Sequence, residues 1–259
     1  MGPWHGARAL FFVFRKAITM GFRILAVGRD HKTVKGEEYG ALTGIQFLAP
    51  AMLSGVNLCA WSTAACRALC LYEAGRGSMH VVRDGRLRKS HLMLHEWDRY
   101  IGLLEDDYHK LAARADRLGL DVGVRLDGTS DLRWDRRLRS TPCAMERWPR
   151  FHFYDYTKDY AKARSAAGHG VGSVGFPTNY SIVFSYSGSN WRQCRQILRW
   201  GRPVAVIFRS GIPDQWRGVP VIDGDRHDIR WREMQPVIIG LSPKGYRARQ
   251  DRSGMVVDV

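Results

Sequence analysis

Val122-Gly123-Val124-Arg125-Leu126-Asp127-Gly128-Thr129-Ser130-Asp131 is the stretch whose reading decides the fold. A short apolar run with little polar alternation gives way at once to two carboxylates, two hydroxyls and a glycine. Strands covered on both faces read this way, and they belong to the parallel sheets of α/β folds. Such folds keep their chemistry beyond the carboxyl ends of the strands, where this polar cluster falls.

Five further runs repeat the pattern: Leu42 to Leu48, Phe151 to Tyr156, Tyr180 to Tyr186, Pro203 to Phe208, and Val237 to Leu241. Helical periods lie between them. Leu94, Trp97, Ile101, Leu104, Tyr108, Leu111, Ala115 and Leu118 recur at spacings of three and four. They predict one amphipathic helix from about Ser90 to Leu118, stopped by Gly119. Shorter helices are predicted over Lys158 to Ala167 and Trp191 to Trp200. Strands alternating with helices through right-handed crossovers predict an α/β fold. We expect a single domain over residues 28–259, a partial or irregular (β/α) barrel of about six mainly parallel strands, preceded by an N-terminal extension at residues 1–27.

Composition sets the outer bounds. The 259 residues are 45% hydrophobic and 25% charged, which excludes disordered and fibrous classes and is ample for a core. No apolar run reaches the roughly 18 residues of a membrane span, so no membrane partner is expected. The run Leu10-Phe11-Phe12-Val13-Phe14 is short for a signal-peptide core and lacks a cleavage site, so it reads as part of the extension, with Met20 as an alternative start. Forty Lys and Arg against 25 Asp and Glu give a net charge of +15. That excess makes nucleic acid or a nucleotide the expected partner, with an acidic membrane surface, another polyanion or mere solubility as competing explanations.

Five cysteines are too few and too odd in number for a disulfide framework. Three of them, Cys59, Cys66 and Cys70, fall within twelve residues, which suggests a metal or redox site in a reducing compartment and a cytoplasmic location. The spacing predicts Cys66 and Cys70 one turn apart on a helix face. Three thiolates can hold a four-iron four-sulfur cluster with one iron open, or zinc with a histidine or carboxylate as fourth ligand. They can also pack as small hydrophobes. At the strand ends, Arg125, Asp127 and Asp131 are candidates to orient a substrate or cofactor, with Gly128, Thr129, Ser130, Ser185 and Ser187 lining its place. Asp155 and Asp225 are the proton-transfer candidates, and the four aspartates are expected to converge on one face. They could serve as general base or bind Mg²⁺ as in nucleases, although each alone also fits a capped turn. Gly75-Arg76-Gly77 reads equally as an anion cradle or a simple turn. His91 and His95 read as structural.

Several stretches together resemble a bacteriophage protein group related to the phage family called gene product 88. They are Lys32-Thr33-Val34-Lys35-Gly36, Leu48-Ala49-Pro50-Ala51, the three cysteines, Arg125 to Asp131, Tyr156-Thr157-Lys158, Asp223-Gly224-Asp225 and Lys244-Gly245. The resemblance implies a phage origin and action in the host cytoplasm. A more distant likeness is to radical S-adenosylmethionine enzymes, which also place a three-cysteine loop after the first strand of a partial barrel. It implies a cluster at Cys59, Cys66 and Cys70 and S-adenosylmethionine facing Gly128 to Asp131. The usual cysteine spacing of that family is three and then two residues, and its second-strand motif carries Glu, so this chain departs from both.

The expectation is therefore an enzyme acting on nucleic acid or a nucleotide, with an iron–sulfur site at the cysteine loop. A non-catalytic DNA- or RNA-binding protein with zinc or plain buried cysteines is the second reading. A base-exchange or nuclease-type enzyme using the aspartates without a cluster is the third.

Overall fold

The computed structural model of the chain describes residues 21–28 and 31–259; the run Leu10 to Phe14 and Met20 lie outside them. The elements in chain order are β1 (Leu25–Val27), α1 (His31–Glu38), β2 (Ala41–Gln46), α2 (Ala64–Ala68), α3 (His80–His95), α4 (Trp97–Leu118) and β3 (Asp121–Arg125). There follow α5 (Trp134–Arg137), β4 (Phe151–Thr157), α6 (Tyr160–Ala166), β5 (Tyr180–Ser185), α7 (Trp191–Arg199) and β6 (Val204–Phe208). The chain closes with β7 (Gln215–Trp216), β8 (Val219–Asp223), β9 (Ile238–Leu241), α8 (Tyr246–Arg249) and β10 (Val256–Val257).

All six expected runs are strands, and they lie side by side in the order β2-β3-β4-β5-β6-β9, every neighbouring pair parallel. The sheet is larger than expected: ten strands are described, not six. β1 runs antiparallel along β2, β8 adds parallel to β9, and β7 folds back antiparallel on β8. These additions lie beyond the ends of the parallel set, and the strand order does not return on itself, so the sheet is open and the expected barrel does not close. Residues 25–27, assigned to the extension, are part of the sheet. They are anchored where the Ile24 and Leu25 N–H groups donate to Asp107 Oδ2 at 2.7 and 2.9 Å.

One face of the sheet is covered by helices. Val122, Val124, Phe151, Phe153, Ile182, Phe184, Val204 and Val206 share one buried cluster there with Tyr100, Ile101, Leu104, Tyr108 and Leu111 of α4, Ala163 of α6 and Cys194, Ile197 and Leu198 of α7. The helix expected from Ser90 begins instead at Trp97. The chain leaves helical geometry at Glu96 (φ −134°, ψ 55°), so Ser90 to His95 end the separate helix α3. Gly119, with φ 65°, adopts the left-handed conformation that closes α4.

The opposite face is covered without an α-helix, by a segment with one 3-10 turn at Arg230–Arg232. Residues 224–233, joining β8 to β9, run back across it as a strap. The Trp231 ring lies stacked on His152 at 5.1 Å and over Gly123, where a Cβ would meet it at 2.5 Å. Arg232 ends the crossing, donating to Tyr39 O and Asp121 Oδ2, both at 2.7 Å.

β6 has two partners on one side. Val204 and Ala205 pair with β5, whereas Ile207 and Phe208 pair with β10, β9 occupying the other side. The sheet is thus split at the carboxyl ends of β5 and β6, and the last strand fills the split.

Candidate functional site

The cysteine loop is fastened to the loop that follows β3. Gly128 N–H donates to Gln46 O at 3.0 Å, and Thr129 Oγ1 to Leu48 O at 2.6 Å. Asp131 N–H donates to Leu58 O at 2.9 Å, which sets Cys59 and Asp131 side by side in a short parallel bridge. The Cys59 thiol points at Thr129 O, 3.6 Å away. Gly128 is there because the strands approach closely: a Cβ would fall 2.5 Å from Gln46 O. Asp131 accepts from Thr157 Oγ1 at 2.6 Å and Lys158 N–H at 2.9 Å, so the ends of β2, β3 and β4 meet at this carboxylate.

Cys66 lies in α2, whose first turn is capped by Thr63 accepting from Cys66 N–H at 3.0 Å. Cys70 does not share that helix face. α2 ends at Ala68, and Cys70 is extended (φ −59°, ψ 136°) before the next turn. All three thiols are partly exposed. They form one electrostatic neighbourhood: burial pushes Cys59 up to about 12, and the Cys70 thiolate and Asp131 add to the rise. Cys70 is likewise raised, by burial first and then by Cys66, while Arg86 and Lys158 oppose it. As they stand, no three His, Cys, Asp or Glu side chains among the described residues are arranged to hold a metal ion.

Arg86 is the residue the sequence did not single out. It projects from α3, only 8% exposed, with its guanidinium 5.2 Å from the Phe47 ring and 5.4 Å from the Tyr72 ring. Its Nε and Nη1 have no hydrogen-bond partner. Burial lowers its hold on its proton, and the nearby Cys70 works the other way. A buried guanidinium with unsatisfied donors near the Cys70 thiol is costly unless an anion completes it. In the sequence Arg86 is one of several basic residues of α3, and nothing marks it among Arg83, Arg88 and Lys89.

The other acids are spent on structure. Asp127, 2% exposed, accepts from Ser130 Oγ at 2.7 Å, Trp134 Nε1 at 2.9 Å, Leu132 N–H at 3.1 Å and Lys162 Nζ at 3.0 Å. Lys162 also donates to Leu132 O at 2.7 Å, and both charged groups of this pair are shut off from solvent. Asp155, fully buried, accepts from Asp127 N–H at 2.6 Å through Oδ1, and its Oδ2 lies 2.6 Å from the Tyr180 hydroxyl. Burial first and then the Asp127 charge raise it to about 8, with Lys162 opposing. Asp155 sits on the helix-covered face beneath α6, so the structure removes it from the accessible edge.

Arg125, at the end of β3, points to the strap. Its Nη1 donates to Asp228 Oδ2 at 3.1 Å, and its guanidinium lies 4.6 Å from the Tyr156 ring centroid. Asp228 also accepts from Tyr154 and Tyr156 hydroxyls at 3.0 and 3.1 Å and from Arg230 Nε at 3.1 Å. Arg230, fully buried, further donates to Glu233, Gly224 O and His227 O. Asp225 stays with the far end of the sheet, held by Ser242 N–H at 2.8 Å and Lys244 Nζ at 3.2 Å. Four strands separate β8 from β3, so the expected convergence joins Asp127, Asp131 and Asp155 but not Asp225. Thr129 and Ser130 are committed as described. Ser185 ends β5 and Ser187 lies in the turn after it, where Asn190 ties Ser187 N–H and Ser185 O together at 2.8 and 3.0 Å. Gly75 to Ser78 form a single tight turn. The His91 and His95 rings stack at 5.8 Å on exposed α3 surface.

What remains accessible at the carboxyl edge is the thiol trio, Asp131 and Lys158, with Arg86 behind. No helix among the described residues is long and apolar enough to cross a membrane. No curated protein and no solved structure matches the chain. The likeness to S-adenosylmethionine enzymes therefore gains no support from them. A family model described as Gene product 88 matches residues 23–258, a span that takes in the whole parallel sheet, the cysteine loop and the strap. The chain belongs to the gene product 88 family.

Proposed function

We propose that this protein is a phage-encoded enzyme acting on nucleic acid or a nucleotide, with an iron–sulfur cluster carried by Cys59, Cys66 and Cys70. The observation that supports it is the buried, unsatisfied guanidinium of Arg86 beside Cys70. A cluster held by three thiolates is anionic, and it would supply the charge that Arg86 lacks. Cluster loading would remove the thiol protons, which burial otherwise holds on Cys59 and Cys70. Asp131 and Lys158 stand at the same edge and would meet a substrate approaching the open iron. Arg125, Asp127 and Asp155 act behind it by holding the ends of β3 and β4 in place.

Anaerobic purification of the full chain, reconstitution with ferrous iron and sulfide, and metal and sulfide analysis test this. The expected result is a coloured protein holding iron and sulfide, lost in C59S, C66S and C70S and poorly retained in R86L. A colourless chain without iron after reconstitution, or one holding a single zinc, overturns the cluster. The zinc outcome would support the binding-protein reading. The aromatic rings around Arg86 and the raised pKa of Cys59 and Cys70 suit that reading in its form with plain buried cysteines.

A further inference from the structure

Away from the cysteine loop, the sequence from 160 to 213 contains no Asp or Glu but seven Lys and Arg. Two of these are used internally: Lys162 with Asp127 and Arg209 with Asp258. α7 takes three of the others. Cys194, Ile197 and Leu198 bury its inner side, and Arg192, Arg195 and Arg199 project from its exposed side at spacings of three and four. Among the described residues no carboxylate pairs with them, nor with Arg202 or Arg217.

The row continues past the start of α7. Arg217 is exposed, with its guanidinium 4.9 Å from the Trp191 ring and 4.6 Å from the Trp216 ring. It occupies the first position of the two-residue turn between β7 and β8, with φ 50°, followed by Gly218 at φ 75°. Such turns favour Asn or Gly at that position, and an arginine there is held by its stacking on the two indoles. The tryptophans are themselves packed edge to face, 4.9 Å apart, so the platform under Arg217 is rigid.

We propose that this stripe, Arg217 with Arg192, Arg195 and Arg199, is the surface that grips the sugar–phosphate backbone of a nucleic acid. Seven residues of helix rise about 10 Å, which lets the α7 arginines reach neighbouring phosphates along one strand. Guanidinium groups suit phosphate oxygens because they donate in a planar fork. An acidic membrane is the poorer fit. The outward face of α7 carries Arg192, Gln193, Arg195 and Arg199 and no apolar anchor of the kind an interfacial helix buries. The inference rests on the nucleic-acid part of the reading above and not on the cluster.

The test is binding of the full chain to a 20-base-pair duplex and to a single strand of equal length, across a range of salt. R192A/R195A/R199A should weaken binding at least tenfold and flatten the slope of log K against log salt by about 2 to 3. An equal charge loss elsewhere, K110A/R117A/R147A, should leave both nearly unchanged, and all three chains should melt alike. Equal weakening by the second triple means diffuse charge and overturns the surface. So does a normal response of the first triple to nucleic acid accompanied by lost binding to phosphatidylserine vesicles. Absence of any nucleic-acid binding by the parent chain overturns the partner reading itself. The same measurement on C59S/C66S/C70S keeps the cluster out of the result: an intact arginine effect there supports the stripe whatever the thiols hold.

Discussion

Asp155 shows how much one position in a strand decides. Its neighbours on the same side of β4 are Phe151 and Phe153, so the two-residue alternation of a strand carries its carboxyl into the helix-covered core. That alternation was present in the sequence and would have separated Asp155 from the accessible acids. Reading the run only as uniformly apolar hid it. With its value raised to about 8, well above an ordinary aspartate, Asp155 keeps a proton in the folded chain that the unfolded chain releases near pH 4. The stability this contributes is full below about pH 4 and is lost as pH rises through about 8. Urea unfolding of the parent between pH 4 and 9 should therefore show stability falling with pH over that window. Asp155→Asn, neutral at every pH, should flatten the fall. An unchanged slope in Asp155→Asn would place the titration elsewhere. Asp131 has the same residue type in the same kind of context, and only the bridge to Cys59 distinguishes its place. No sequence signal carries that bridge.

Among the elements, the strands that are covered on both faces were legible because apolar content alone identifies them. β4, for example, begins at Phe151 as expected and runs one residue further, to Thr157. The edges were not legible. β1, β7 and β10 are two or three residues long, and β8 contains Pro220, which reads against a strand. The helical stripe from Leu94 to Leu118 was real, but a period cannot register one non-helical residue such as Glu96. α3 lacked a stripe, and with it Arg86 was missed. Gly128 was expected to line a cofactor, and its immediate duty is the close passage of β2 and the loop after β3. Gly128→Ala should cost about 1–3 kcal/mol in urea unfolding, because the obstructing atom is a backbone carbonyl that moves only with its strand. The same variant should hold less iron than the parent after reconstitution, since the cysteine loop hangs from that junction.

For the molecule as a whole, the open sheet and the strap belong together. A parallel sheet needs both faces covered, and here helices cover one while residues 224–233 cover much of the other. The strap has no hydrophobic period, so its path was not readable; its charged residues suggested a site where they form a buried anchor. Arg230 is the centre of that anchor, with no exposed surface and five protein partners. Arg230→Met should cost about 3–5 kcal/mol, because Glu233 and part of Asp228 lose their cation in a buried place. Limited proteolysis should then cut between residues 224 and 233, where the parent resists.

The strand that fills the split between β5 and β6 has a consequence for the order of assembly. β2 to β6 and β9 can align as each leaves the ribosome, since neighbours in the sheet follow one another in the chain. On the side facing β10, Ile207 and Phe208 stay unpaired until Val256 and Val257 have been made. Until that moment the nascent chain presents a short open edge, the kind that pairs with other chains. The seam is thus sealed only once residues 256 and 257 join it, and a chain cut before Val256 would carry a sheet complete except there.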